Sequence, residues 1–229
     1  YTGSASSSFG KGVISKTISV SSFPKYTIGI SDDSYTTGYI NGGTSSVSGV
    51  YGSTYTFKAT SISHNATYLY FLNSFIVPNG SSISIPSNST SYSISSAING
   101  AGTFKVTGKR INANPGSISS SPSVTGPTSI SLTINGYSSS SFNTSYINST
   151  YYIAVSTSSL SATTTSLSYK TTTSISTSSK SVTINNLTGG TSYNYGIYCY
   201  NSYNKYYYRV STGSFTTDAS SYNITASAS

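Results

Sequence analysis

At 229 residues the chain has room for one or two domains with real cores, and it carries a net charge of +8 on only 6% charged residues. Glu and Gln are absent, the acids are Asp32, Asp33 and Asp218 alone, and His64 and Cys199 are each the sole residue of their kind. An intrachain disulfide is therefore excluded, and almost nothing is left for acid–base or metal chemistry.

The polarity comes from Ser and Thr, set among 23 tyrosines and 20 glycines. Polarity without charge would also suit a disordered tract, but tyrosine and β-branched residues run the whole length and point to packed strands. Acid unfolds proteins mainly by protonating carboxylates that are paired in the fold, so a chain with three acids is expected to be acid-stable. Its positive charges are scattered, with one local group at Lys105, Lys109 and Arg110. A solvated face is expected there, with no nucleic acid bound. No apolar run approaches the roughly twenty residues of a membrane helix, so no membrane span is expected.

A chain opening on Tyr1 fits a secreted product whose leader has been removed. Asn-X-Ser/Thr sequons at Asn65, Asn79, Asn88, Asn143, Asn148, Asn186 and Asn223 fit the same compartment and make covalent N-glycans expected partners. Asn186 ranks highest, because it alternates out of phase with Leu187 and so faces solvent.

Residues 1–22 read as an N-terminal tail: a Ser/Gly lead, then a strand in which Ile14, Ile18 and Val20 share one face with Lys16. A lone strand must pair with a sheet edge. It is either the first strand of the domain that follows or a donor strand completing another subunit, with Ile14, Ile18 and Val20 as the inserted face. Residues 23–114 predict a first sandwich, with strands near 26–30, 53–60, 68–77, 82–85, 91–95 and 103–111. Turn signals at Asn41-Gly42-Gly43, Pro78-Asn79-Gly80, Pro86 and Asn99-Gly100 punctuate them. The run Tyr68, Leu69, Tyr70, Phe71, Leu72 is apolar on both faces, as in a central strand covered on each side.

Residues 115–127, with Pro115, Pro122 and Pro127, predict a stiff linker. Residues 128–218 predict a second sandwich, with strands near 129–134, 151–156, 166–170, 181–185, 193–201, 206–210 and 214–216. Residues 219–229 form a polar C-terminal tail, either frayed or a minor contact strand.

His64, in a turn beside a sequon, reads as a surface histidine before a general base, and Cys199 as a buried inert thiol. Asp32 and Asp33 point to opposite faces if extended, which suits turn-shaping or weak cation binding over catalysis. No catalytic, metal or cofactor residue is assigned, and an enzyme is not expected. Tyr198, Tyr200, Tyr203, Tyr206, Tyr207 and Tyr208 either form an exposed aromatic patch or replace aliphatics in a tyrosine-rich composition.

Residues 180–217 carry the most specific pattern. Val182 and Ile184 alternate, a turn holds Leu187, Gly189, Gly190, Thr191 and Tyr193, and Tyr193, Tyr195, Ile197 and Cys199 alternate again. That order resembles the fibronectin type III E to F corner, which implies a tyrosine corner at Tyr193 with its hydroxyl bonded back to the turn backbone. Gly189 stands where that family usually has proline, and the usual B-strand tryptophan is missing. Residues 52–59 and Gly102-Thr103-Phe104-Lys105-Val106-Thr107 resemble the first and last core strands of PKD-type Ig-like modules common on archaeal surfaces.

The expected fold is all-β: two tandem Ig-like/fibronectin III-like β-sandwiches behind an N-terminal strand tail. Tail, Ig-like head, dense sequons and acid-proof composition together resemble the glycosylated thread-type pilins of hot-acid archaea. That resemblance implies a subunit of an extracellular, cell-surface filament, a homopolymer of identical subunits joined by donor-strand complementation and supporting adhesion or biofilm. The alternative is a surface adhesin or carbohydrate-binding module using the tyrosine patch.

Overall fold

The structure is a computed structural model that describes residues 2–9, 12–19, 23–41 and 43–221, and every regular element among them is a strand. The chain divides into two compact units, Tyr1–Ser63 with Tyr70–Arg110 and His64–Leu69 with Ile111–Ser229.

Strands β1 (Thr2–Phe9) and β2 (Gly12–Ser19) pair antiparallel in a two-stranded sheet of their own. The lead expected to be loose is thus itself a strand, because β2 offers its backbone a ladder that composition alone does not reveal. Ile14 stands opposite Ser7 and Ile18 opposite Gly3, while Val20 lies outside the described residues. Along one edge, the expected donor strand therefore has a partner in its own chain.

The first sandwich contains β3 (Lys25–Ser31), β4 (Thr36–Ile40), β5 (Ser46–Val50), β6 (Thr54–Ser61), β7 (Tyr68–Ile76), β8 (Ser82–Ile83), β9 (Ser91–Ala97) and β10 (Gly102–Asn112). One sheet runs β5-β3-β10-β7-β8 and the other β4-β6-β9. Alternation builds the core: on β6, Phe57 and Ala59 are buried while Lys58 is exposed. Phe104 packs 4.7 Å from Phe57 and 5.1 Å from Phe75, ring centroid to centroid. β4 and β5 were not among the expected strands. They are short, glycine-bearing pieces flanking Asn41, and β6 and β3 supply their ladders.

Asp33 fastens the β3–β4 connection. Its carboxylate accepts the Tyr35 N–H at 2.9 Å, the Thr36 hydroxyl at 3.0 Å and, across to β10, the Gly108 N–H at 2.8 Å. Beside β10, β3 runs parallel, pairing residues 28–31 with 102–105.

The second unit holds β11 (Ser120–Val124), β12 (Ile130–Ile134), β13 (Ile147–Ser156), β14 (Thr163–Thr164), β15 (Thr171–Ser174), β16 (Lys180–Ile184), β17 (Ser192–Asn201) and β18 (Tyr206–Thr216). Its sheets are β11-β12-β16 and β14-β18-β17-β13-β15. With the two-residue β14 set aside, the first, second and fifth strands share one sheet and the rest form the other. That is the fibronectin type III strand order, around a core of Ile130, Leu132, Tyr151, Ile153, Tyr195 and Ile197.

β11 lies inside the segment expected to be linker. Its Ser/Pro composition hides it, but Pro122 pairs opposite Leu132 on an outer strand, where a missing N–H is tolerated. The Ser120 hydroxyl ties it across to Tyr195 at 3.0 Å and Ser211 at 2.8 Å. The strand expected at 166–170 is absent. β15 begins after it, with the Lys170 N–H donating to Ile153 O at 2.8 Å. The strands expected at 206–210 and 214–216 are one strand, β18, whose register with β17 shifts between Ile197 and Tyr198.

Cross-strand hydroxyl pairs recur on the outer faces. Thr27 meets Ser48 at 3.0 Å, Thr133 meets Ser181 at 3.3 Å and Ser192 meets Thr216 at 2.8 Å, each directly opposite in register.

Candidate functional site

The longest outer edge in either sandwich is β9. Hydrogen bonds at its two ends, Ser61 N–H to Thr90 O and Ile98 N–H to Ser53 O, both at 2.9 Å, fix its phase. Residues 92, 94 and 96 therefore bond to β6, and Ser91, Ser93, Ser95 and Ala97 turn their N–H and C=O groups outward. Sheet edges are commonly guarded by charge or proline, as Pro122 does on β11 and Lys180 on β16. β9 carries neither. Beneath it Tyr92 and Ile94, with Ile83 and Ile85 nearby, are only half-buried against the core.

At the β16–β17 corner the Thr188 N–H donates to the Tyr193 hydroxyl at 3.0 Å, and the Tyr193 ring stacks on Phe215 at 5.5 Å. That donated N–H stabilises the phenolate and holds the Tyr193 pKa below its usual 10. Leu187, Tyr195, Ile197 and Cys199 point inward and are buried.

Two of the six tyrosines of the expected aromatic patch are buried. Tyr198 is 0% exposed, with its hydroxyl donating to Ser161 O at 2.7 Å, and the segment after β13 folds over it. Asn194 holds that segment at Ser158 O, and Arg209 holds it at Leu160 O and Ala162 O. Tyr208 is buried too, donating to Ala66 O at 2.9 Å. Of the six patch tyrosines only Tyr203 is exposed, at 37%.

Tyr200 and Tyr207, opposite one another in register with rings 4.9 Å apart, continue a chain of rings through Tyr152 to Tyr169. These contacts serve the sheet itself. Tyrosine also covers glycine: a Cβ on Gly213 would stand 2.7 Å from the Tyr195 ring directly opposite.

The sequons fall into distinct settings. Asn65, Asn79 and Asn143 are exposed in loops, and each Oδ1 accepts the N–H of its own sequon's third residue. The distances are 2.8 Å to Thr67, 2.9 Å to Ser81 and 2.9 Å to Ser145. Asn186 is exposed at a φ of 61°, but its Thr188 N–H is taken by Tyr193. Asn88 is half-buried, with the next residue's N–H donating to Pro86 O. Asn148 is half-buried on β13, its Nδ2 donating to the Tyr152 hydroxyl at 2.7 Å and its Oδ1 enclosed without a partner. Asn223 lies outside the described residues.

His64 meets Tyr203 edge-on at 6.0 Å, and burial lowers its pKa from 6.5. Burial pushes the Cys199 thiol up, which leaves it neutral and unreactive. Asp32 and Asp33 serve as turn acceptors, Asp32 for the Gly38 N–H at 3.0 Å. Among the described residues no three His, Cys, Asp or Glu side chains gather to hold a metal. Tyr151, 2% exposed on β13, has a buried hydroxyl with no hydrogen-bond partner, and the loss of solvent raises its pKa.

No family model and no curated protein matches this chain. Among solved structures, a two fibronectin type-III domain segment from chicken tenascin aligns at 16% identity with a TM-score of 0.33, covering 73% of this chain and 94% of that one. The chicken CNTN1 FN1-FN3 domains align at 12% identity with a TM-score of 0.33, covering 90% of this chain and 72% of that one. Both likenesses are loose, and the sandwich fold stands on the strand order itself.

Proposed function

We propose that this protein is a structural subunit of an extracellular, cell-surface filament, in which β2 of one copy adds to a sheet edge of the next and supports adhesion or biofilm. The observation behind this reading is that the chain holds two matching open edges. β2 spans eight residues and pairs with β1 but with neither sandwich. β9 spans seven and presents its backbone outward without a guarding charge or proline.

A two-stranded sheet is marginal alone, so β2 gains by joining a larger one. It can keep β1 on one edge and offer the other to β9, where Tyr92 and Ile94 are half-buried. Because donor and acceptor are different surfaces, the contact repeats without closing and builds a fibre. The carbohydrate-binding alternative loses Tyr198 and Tyr208, which are buried, and keeps Tyr200, Tyr206 and Tyr207 half-buried and Tyr203 exposed.

Electron microscopy of the purified protein tests the reading. Threads are expected from the intact chain and soluble particles after deletion of residues 1–22. Ser93→Pro removes one outward N–H of β9 and leaves the bonds to β6 in place, so it should leave a folded monomer that does not polymerise. Threads that survive the deletion would refute the donor role, and threads that survive Ser93→Pro alone would move the acceptor off β9.

A further inference from the structure

We infer that Tyr169 and Tyr152 form an oxidative cross-linking site, at which a one-electron oxidant of the haem peroxidase class, using hydrogen peroxide, joins the two rings as dityrosine. The inference goes beyond the filament reading and does not rest on it. The chain's one cysteine excludes an intrachain disulfide, so a covalent tie within the chain has to use other side chains. Phenols are the side chains that the second unit gathers.

Tyr169 meets Tyr152 at 5.1 Å, Tyr152 meets Tyr207 at 5.2 Å and Tyr207 meets Tyr200 at 4.9 Å, ring centroid to centroid, distances at which ring atoms touch. Tyr169 is 49% exposed and the other three are half-buried, so an oxidant in solution reaches Tyr169 first. Lost solvent, and then the phenols of Tyr152, Tyr200 and Tyr169, raise the Tyr207 pKa above its usual 10, so the hydroxyl ends are gathered as well as the rings. The backbone sets the pair. Lys170 N–H donates to Ile153 O at 2.8 Å and Thr172 stands opposite Tyr152, which seats Tyr169 beside it. Asn148 Nδ2 donates to the Tyr152 hydroxyl at 2.7 Å and holds that ring in place.

In the coupling, each ring gives up one electron and its hydroxyl proton. The two unpaired electrons pair in a bond between the ring carbons next to the hydroxyls. The hydrogens on those carbons then move to the oxygens, which restores both phenols. One peroxide takes up the two electrons and two protons and leaves as two waters. The new bond closes a loop around the segment that folds over Tyr198. Hydrogen bonds from Asn194, Tyr198 and Arg209 and the short β14 ladder hold that segment to the sheet. A covalent tie across it restricts the unfolded chain as a disulfide of the same span would.

Treating the intact chain, kept dilute, with a haem peroxidase and hydrogen peroxide tests this, followed by mass mapping of a digest that cuts between residues 152 and 169. The expected product is a pair of peptides joined through Tyr152 and Tyr169, two hydrogens lighter than its parts and carrying the blue fluorescence of dityrosine. Tyr169→Phe changes an exposed ring, so it should fold as before and lose both the link and its fluorescence. Tyr203→Phe, at the exposed patch tyrosine, should keep both. After oxidation the residues 157–168 should resist proteolysis in the intact chain and not in Tyr169→Phe. A link between Tyr200 and Tyr207 in place of this one, a link formed only between copies, or no link at all would overturn the inference.

Discussion

Matched strand by strand, the two sandwiches differ at one edge. Each has a three-stranded and a five-stranded sheet, and β10 of the first corresponds to β17 of the second. Beside β17 runs β18, the next strand in the chain, antiparallel along the whole of β17. Beside β10 runs β3, from the chain's beginning, parallel and paired only over residues 28–31. Parallel pairing is slightly weaker per residue and spans a longer connection. The second sandwich closes with its own last strand, whereas the first is closed by a strand from upstream.

The fasteners differ in kind as well. A carboxylate, Asp33, ties the first sandwich; a phenol, Tyr193, ties the second. Asp33→Ala strands three donors and should cost about 2–3 kcal/mol, read as an earlier urea transition of the first unit with the second unmoved. A shift of both transitions together would mean that the two units unfold as one.

In the second unit, Gly213→Ala pushes a methyl into the buried Tyr195 ring and should cost about 1–3 kcal/mol. Tyr193→Phe removes the acceptor for Thr188 and should cost about 1 kcal/mol in that unit alone. Tyr151→Phe deletes a buried hydroxyl that has no partner, so stability should hold or rise by about 1 kcal/mol. A loss there would place a bound water on that hydroxyl.

The smallest effect belongs to His64. Burial lowers its folded pKa, so the unfolded chain takes up the proton first as pH falls below 6.5. Stability should be full above that pH and decline slightly through the window below it. His64→Asn should remove the dip.

The parts of the fold visible in the sequence were those with a period. β6, β16 and β17 alternate along their length, β7 opens on a continuous apolar run, and the Leu187 to Tyr193 spacing marks the corner that the Thr188–Tyr193 hydrogen bond closes. β4, β5, β11 and β15 escaped because Ser, Thr, Gly and Pro give no such signal, and their strand state is imposed by the partner ladder. The tyrosines misled for a related reason. Alternation placed Tyr198 outside correctly with respect to the core, but it could not show that the serine-rich segment after β13 folds back over the outer face.

The cross-strand hydroxyl pairs have a further consequence. Many sheets hold their solvent faces with paired lysines and glutamates, whose attraction fades as ions crowd the surface. Here Thr27–Ser48, Thr133–Ser181 and Ser192–Thr216 occupy such positions with neutral groups. These pairs offer dissolved ions nothing to screen, so what they contribute should be alike in dilute water and in concentrated brine.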